Sequence, residues 1–230
     1  MVKQPIQPSA GRSVLLAGAT GLVGAEVLRQ LLTDSSVSRI VVIGREPVTT
    51  NDARVATHVV DFNHLEAYAA LFAVDQIICA LGTTMRQAGS KEAFKRVDYD
   101  YPLAIARLGI ARGARHFLVV SALGASLDSR FFYSRVKAEL EEQLRSLGYR
   151  STTIVRPSLL LGRRKPLQAS ARGLLNLLVE RIGMAIGEFI PGQYRPVQAS
   201  AVAQTLVNAA RLDEPGLHII ESEEVRVGIA

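Results

Sequence analysis

Short apolar runs alternate along this chain with amphipathic stretches, at the spacing of strands followed by helices. Val14-Leu15-Leu16-Ala17 is wholly apolar, and an alternating pattern from Ala25 to Leu32 follows it. The run Arg39 to Arg45 predicts a second buried strand, Arg54 to Val60 a third that ends at Asp61, and Gln76 to Leu81 a fourth. His116 to Ser121 and Ser151 to Val155 predict the fifth and sixth. Between them, Leu65 to Phe72 reads as a short helix. Lys91 to Arg112 carries Phe94, Val97, Tyr101, Ile105 and Leu108 at three- and four-residue steps, with Pro102 predicting a kink or break. Tyr133 to Leu147 is a helix with many charged i,i+4 neighbours, and Gly148 is its expected C-cap.

Strands and helices in this order pair in parallel through right-handed crossovers, which gives an α/β, doubly wound parallel sheet. Beyond Pro157 the alternation fades. Arg172 to Ile186 and Ala199 to Leu212 read as helices and Leu217 to Glu221 as a last strand. This part is expected to form a small C-terminal cap, about residues 158–198, on a single domain spanning 13–230. Residues 1–12 hold two prolines and no apolar core, and are expected to be a loose, flexible tail rather than a signal peptide.

Composition narrows the class. A chain of 230 residues holds one large domain, hardly two. Its single cysteine, Cys79, lies among Ile77, Ile78, Ala80 and Leu81, so a buried, inert thiol and a reducing, cytoplasmic home are expected. Leu174 to Ile190 is interrupted by Glu180, Arg181 and Glu188 and is not a membrane span. The net charge of +6 suits anionic ligands. No nucleic-acid-binding motif is present and the arginines are scattered, so nucleic acid is not expected as a partner. The one basic cluster, Arg163-Arg164-Lys165, reads as a solvated loop before an anion site.

The chemistry starts where the first strand ends. Gly18, Gly21 and Gly24 follow it at three-residue spacing and open a helix. Glycine lets the main chain turn tightly and approach a ligand, and the helix N-terminus offers unpaired N–H groups to a pyrophosphate. That strand–turn–helix context is what the dinucleotide fingerprint requires. Gly18, Thr20, Gly21, Leu22, Val23 and Gly24 are therefore candidate cofactor residues. Arg45 ends the second strand where the fingerprint reads the adenosine ribose. An arginine there can grip a 2′-phosphate, which favours NADP(H); Glu46 beside it keeps NAD(H) open. Asp61, followed by Phe62, either accepts from the adenine or caps the helix after it. Leu81, Gly82 and Thr83 follow the fourth strand, at the end where ligands bind in open α/β sheets. No metal is expected.

Ser121, Tyr133 and Lys137 form the sharpest constellation. Tyr133 and Lys137 share one helical face, and an ammonium there is expected to draw the phenol pKa down toward the working range. Ser121 closes the fifth strand, placed to hydrogen-bond a substrate carbonyl while Tyr133 gives it a proton.

Together these segments resemble the atypical branch of the short-chain dehydrogenase/reductase superfamily. The resemblance rests on Gly18 to Gly24, Cys79 to Thr84, Arg96-Val97-Asp98-Tyr99-Asp100-Tyr101, His116-Phe117, Ser121 to Ala125, Tyr133-Ser134-Arg135-Val136-Lys137 and Arg156-Pro157. Within that branch the chain is similar to the Tat-interacting-protein-like oxidoreductases and to bacterial epimerase/dehydratase-like proteins. The resemblance implies a Rossmann-like domain, NADP(H) on the glycine turn, and a small carbonyl-like substrate reduced with Ser121, Tyr133 and Lys137 as the catalytic set. It further implies that Lys137 holds the nicotinamide ribose and that Pro157 lies near the nicotinamide amide. The subunit is expected to be a monomer or a homodimer paired through its two long helices. One departure is plain: where catalytic members often carry a relay asparagine, this chain has Val97-Asp98.

Overall fold

The computed structural model describes residues 11–162 and 194–227. The expected helix from Arg172 to Ile186, the basic cluster at Arg163-Arg164-Lys165 and residues 1–10 of the expected tail lie outside the described residues.

Among the described residues seven parallel strands form one sheet: β1 (Arg12–Ala17), β2 (Val37–Gly44), β3 (Val55–Val59), β4 (Gln76–Cys79), β5 (His116–Val120), β6 (Ser151–Arg156) and β9 (Gly216–Glu221). Their spatial order is β3-β2-β1-β4-β5-β6-β9, every neighbouring pair parallel. The expected last strand thus belongs to the main sheet, beside β6. Chain order reverses between β1 and β4, and that switch point is where open α/β sheets bind ligands. Because all seven strands run the same way, every strand-to-helix turn falls on one edge.

Alternation along each strand sorts the core into two layers. Val14 and Leu16 of β1, with Ile40, Val42, Ile78 and Leu118, meet α1 (Leu22–Thr33) and α6 (Ala199–Leu212). Leu15 and Ala17, with Val41, Ile43, Ile77 and Phe117, meet the other face. There lie the 3-10 helix Leu65–Phe72, α4 (Tyr101–Ala111) and α5 (Phe132–Ser146). Helices on both faces of a parallel sheet make the doubly wound fold that the apolar runs predict.

The predicted helix over Lys91 to Arg112 is continuous but not uniform. The short helix α2 (Met85–Ala88) precedes it, α3 (Lys91–Lys95) opens it and α4 closes it, with a π-helical turn, Arg96–Asp100, in between. Pro102 explains the widening. It has no N–H for the carbonyl four residues back, that of Asp98, and its ring would crowd it. The chain answers with an i→i+5 turn, in which the Tyr101 amide bonds the carbonyl of Arg96, and Pro102 falls in the first turn of α4. Gly148 stands just past α5 in the left-handed region (φ +75°), as a C-cap requires. In the expected cap region the described residues form a two-stranded pair, β7 (Leu160–Leu161) with β8 (Val197–Gln198), before α6; α7 (Ser222–Val227) follows β9.

Arg12, expected in the tail, is the first residue of β1. Its guanidinium reaches the buried carboxylate of Asp34 at 2.5 Å, and Arg211 joins from α6 at 3.1 Å, so an ion-pair cluster holds this end of the sheet.

At the opposite edge from the turns, His116 is 1 % exposed, between Asp213 (3.1 Å) and Thr153 (2.9 Å). Burial pushes its imidazole down to about 4, against the pull of Asp213. The unfolded chain takes up a proton near the ordinary histidine value of 6.5 and the native one only near 4, so stability falls as pH drops through that window, by ~1.4 kcal/mol per unit at most. The carboxylates of Asp34 and Asp52, held near 2, act only below about pH 4. The exposed pair of His64 with Asp61 works the other way and is screened by water. Denaturant unfolding at pH 7 and 4.5 should show a loss of about 2 kcal/mol that His116→Gln flattens. Parallel losses in both chains would disprove the assignment.

Candidate active site

The glycine turn is built for close approach. Gly18 lies at φ +91°, and a Cβ on it would sit 2.7 Å from the carbonyl oxygen of Ala80, which follows β4. A Cβ on Gly24 would meet the Gly18 carbonyl oxygen at 2.0 Å. Gly21 donates to that same carbonyl (2.9 Å) and is the N-cap of α1, with no side chain capping the helix. The first i→i−4 bond runs from Ala25 to Gly21, so the amides of Leu22, Val23 and Gly24 keep no helical partner. An uncapped helix start behind a glycine cradle fits a dinucleotide pyrophosphate. Thr20 and Gly21 are exposed, Leu22 is half-buried and Val23 is in the core.

The other expected residues reach the same edge through parallel strands. Arg45 follows β2, is exposed, and makes no hydrogen bond or ion pair among the described residues. Leu81, Gly82 and Thr83 follow β4, Ser121 follows β5 and Pro157 follows β6. Asp61 is already engaged. Its carboxylate accepts from the Asn63 amide (2.9 Å) and side chain (3.0 Å) and from His64 (2.8 Å), which holds its pKa below the usual value. It closes a turn before the 3-10 helix, whose N-cap is His64, so Asp61 is not the N-cap, while its carboxylate stays exposed. The Phe62 side chain is buried and packs against Tyr101 (centroids 5.2 Å).

Tyr133 and Lys137 lie one turn apart on α5, as expected. The tyrosine ring packs on Phe94 of α3 (centroids 5.4 Å) yet stays exposed, whereas Lys137 is buried. The buried carboxylate of Asp98 faces the lysine. One of its oxygens lies 2.8 Å from Lys137 Nζ, and the other accepts from the Thr83 amide at 2.9 Å. Burial pushes the Lys137 pKa down, Asp98 foremost and then Tyr133 raise it, and the net direction is up. For Tyr133 the expected lowering is not what the structure gives. Desolvation raises the phenol, Lys137 pulls it down, Asp98 pushes it back, and the net shift is upward. Cys79 is fully buried and its thiol is pushed up to about 12, so it is inert as expected.

Ser121 corrects a second expectation. It shares the sheet face of Val119, which carries its side chain toward α5, and its hydroxyl donates to buried Glu141 at 2.5 Å. Arg156 grips the same carboxylate from β6 (Nε 3.0 Å, Nη2 2.5 Å) and reaches Glu221 at 2.8 Å. A hydroxyl has one proton to give, and this one goes into the network rather than toward a substrate carbonyl. Two buried carboxylates that the sequence did not assign to the site join it: Glu141, and Asp98, noted there only as a departure from the relay asparagine. Both leave a trace: Tyr133, Lys137 and Glu141 fall at stride four on one face, and Asp98 is a carboxylate on the face of Phe94 and Tyr101.

The family pattern described as HIM1 matches residues 40–181. The chain belongs to the HIM1 family. It is 32 % identical over 216 residues to "Protein FMP52, mitochondrial" of Eremothecium gossypii, covering 93 % of this chain and 95 % of that protein. It is 38 % identical over 154 residues to Protein HTATIP2 of Rattus norvegicus, covering 65 % of this chain and 63 % of that one. Among solved structures, MoeE5 in complex with UDP-glucose and NAD matches with a TM-score of 0.68 at 15 % identity, over 93 % of this chain and 79 % of that chain. The HIM1 chain therefore has the Rossmann-type fold of the atypical short-chain dehydrogenases/reductases and epimerases. The expected cytoplasmic home is overturned, since the fungal relatives are named as mitochondrial proteins. A buried thiol is equally at ease in any reducing compartment, so Cys79 had no power to choose between them. No helix among the described residues is long and apolar enough to cross a membrane.

Proposed function

We propose that this HIM1 chain is an NADP(H)-dependent oxidoreductase that reduces a small carbonyl-like substrate, with Tyr133 as the proton donor. The observation that supports it best is the meeting of two features on one sheet edge: an uncapped glycine cradle at the switch point, and a buried Lys137 one turn from an exposed phenol. The amides of the turn would hold the pyrophosphate, and Arg45 the 2′-phosphate. Lys137 would hold the nicotinamide ribose, with Pro157 near the amide. When bound, the dihydronicotinamide supplies a hydride, two electrons, to the carbonyl carbon. The chain's own part is to orient the carbonyl and give its oxygen the Tyr133 proton.

Fluorescence titration with NADPH and with NADH tests the cofactor half. NADPH should bind much more tightly. Arg45→Ala should weaken NADPH by about 10- to 100-fold, the worth of charge-assisted hydrogen bonds to one phosphate, and leave NADH unchanged. Equal binding of the two cofactors would remove Arg45 from the role and favour an NAD-dependent epimerase or dehydratase reading. Binding of neither would end the enzyme reading.

The commitment of Ser121 to Glu141 favours one other reading, a cofactor-binding regulatory protein without turnover. NADPH occupancy would then change affinity for a protein partner, and identical partner binding with and without NADPH would remove it.

A further inference from the structure

The charge at the centre of the site is balanced within the chain itself. Lys137 enters from α5 and Asp98 from the π turn, and both are buried, at 4 % and 1 % exposure. Two groups fix the carboxylate, the Lys137 ammonium at 2.8 Å and the Thr83 amide at 2.9 Å, so it ties the turn after β4 to the helix that carries Tyr133. An isolated ammonium in such a place would act strongly on the phenol; a paired one acts far less. Among the described residues the phenol is faced by Lys137 on α5, by Asp98, and by the apolar ring of Phe94 on α3. Around the ammonium stand Asp98, the Val120 carbonyl at 3.5 Å on β5, and the neutral thiol of Cys79 on β4. Among the described residues Asp98 is the one anion in both surroundings.

We propose that Asp98 is a positioning residue that sets the protonation of the acid at this site. By clamping Lys137 and cancelling its charge toward Tyr133, it keeps the phenol protonated and ready to donate to a carbonyl oxygen. This rests on the reading of Tyr133 as the acid. In the reductive step the hydride forms the new C–H bond, the C=O π pair moves to oxygen, and that oxygen takes the Tyr133 proton. Water reprotonates the phenolate left behind, because the ring is exposed. The reverse step needs the phenolate beforehand, and Asp98 opposes its formation.

The π turn gives the carboxylate its place. Pro102 forces the widening, and Asp98 lies within the widened turn with its side chain directed at Lys137 and Thr83. An asparagine here would keep the size and a hydrogen bond to Thr83 but not the charge.

Titration of the phenolate absorbance near 295 nm tests the proposal. The chain has no tryptophan, and subtracting the matching Tyr133→Phe variant cancels the other five tyrosines. In the wild type, Tyr133 should titrate above the ordinary tyrosine value of about 10. In Asp98→Asn the midpoint should fall by about one unit, so that about tenfold more phenolate is present at pH 9. Asp98→Glu, which keeps the charge, should stay near the wild type. A folded Asp98→Asn chain with an unmoved midpoint would overturn the proposal. Should that variant not fold, the double variant Asp98→Asn/Lys137→Met decides: if Asp98 cancels the ammonium toward Tyr133, its midpoint should stay within about half a unit of the wild type, and any larger shift overturns the proposal. The titration needs neither cofactor nor substrate, so its outcome is separate from NADPH binding, which tests the reading beneath it.

Discussion

Tyr133→Phe should lower kcat by about 10²- to 10⁴-fold, the usual worth of a positioned general acid, and leave the Kd for NADPH within about twofold. The split follows from where the two atoms lie. The ring, which phenylalanine keeps, packs on Phe94 and helps hold the start of α5 against α3. The hydroxyl has no hydrogen-bond partner among the described residues, so its removal leaves no buried group unsatisfied. Stability should therefore change by less than about 1 kcal/mol, and a change in turnover cannot be traced to unfolding. Single-turnover reduction monitored at the dihydronicotinamide absorbance, beside a fluorescence titration of cofactor, measures both quantities. Unchanged turnover would remove Tyr133 from the reaction and favour the regulatory reading. Loss of turnover with equal loss of affinity would make the ring a cofactor support instead of an acid.

That prediction stands on a residue visible in the sequence, and the division between visible and hidden features follows physical lines. Backbone requirements were legible. Gly18 must adopt a conformation that L side chains rarely take, and the strands at the centre of the sheet carry apolar residues on both faces, so the cradle and the doubly wound sheet are written in residue types. Pro102 announced an irregularity, though not its kind, because a kink, a break and a π turn all answer a missing N–H. Pairings across the fold were not legible. Asp98 and Lys137 are 39 positions apart, Glu141 and Arg156 sit on different elements, and only the tertiary structure says which buried charge meets which. The misreading of the phenol came from the same source. Counting Lys137 alone gives one sign for the shift, and burial, the largest effect, with Asp98 behind it, reverses that sign. The serine erred by orientation, since its place at the end of β5 was foreseeable and its partner on α5 was not.

Gly24→Ala should abolish measurable NADPH binding and cost stability as well, because the added methyl has no free space. Its Cβ would stand 2.0 Å from the Gly18 oxygen, 2.6 Å from the Gly18 carbonyl carbon and 3.1 Å from Ala19 Cα. All three are backbone atoms, so no side-chain rotation relieves the clash, and either α1 lifts from the turn or the turn opens. Gly18 cannot yield, since its own position is fixed by φ +91° and by the Ala80 carbonyl across the switch point. Overpacking of this kind costs ~3 kcal/mol or more, which for a chain of this size lowers Tm by about 6–12 °C. The binding loss should exceed the stability loss in consequence, because the Leu22 and Val23 amides that would hold the pyrophosphate move with the helix. Gly113→Ala is the matching control. Gly113 has the same φ of +91°, but an added Cβ there would meet no atom within 4 Å, and it precedes β5 at the opposite edge of the sheet. That variant should cost about 1–2 kcal/mol through backbone strain alone and bind NADPH as the wild type does. Differential scanning fluorimetry with and without NADPH reads both effects at once: the wild type and Gly113→Ala should gain Tm with the cofactor, and Gly24→Ala should not. A Gly24→Ala chain still stabilised by NADPH would show that the cofactor sits elsewhere than on this turn.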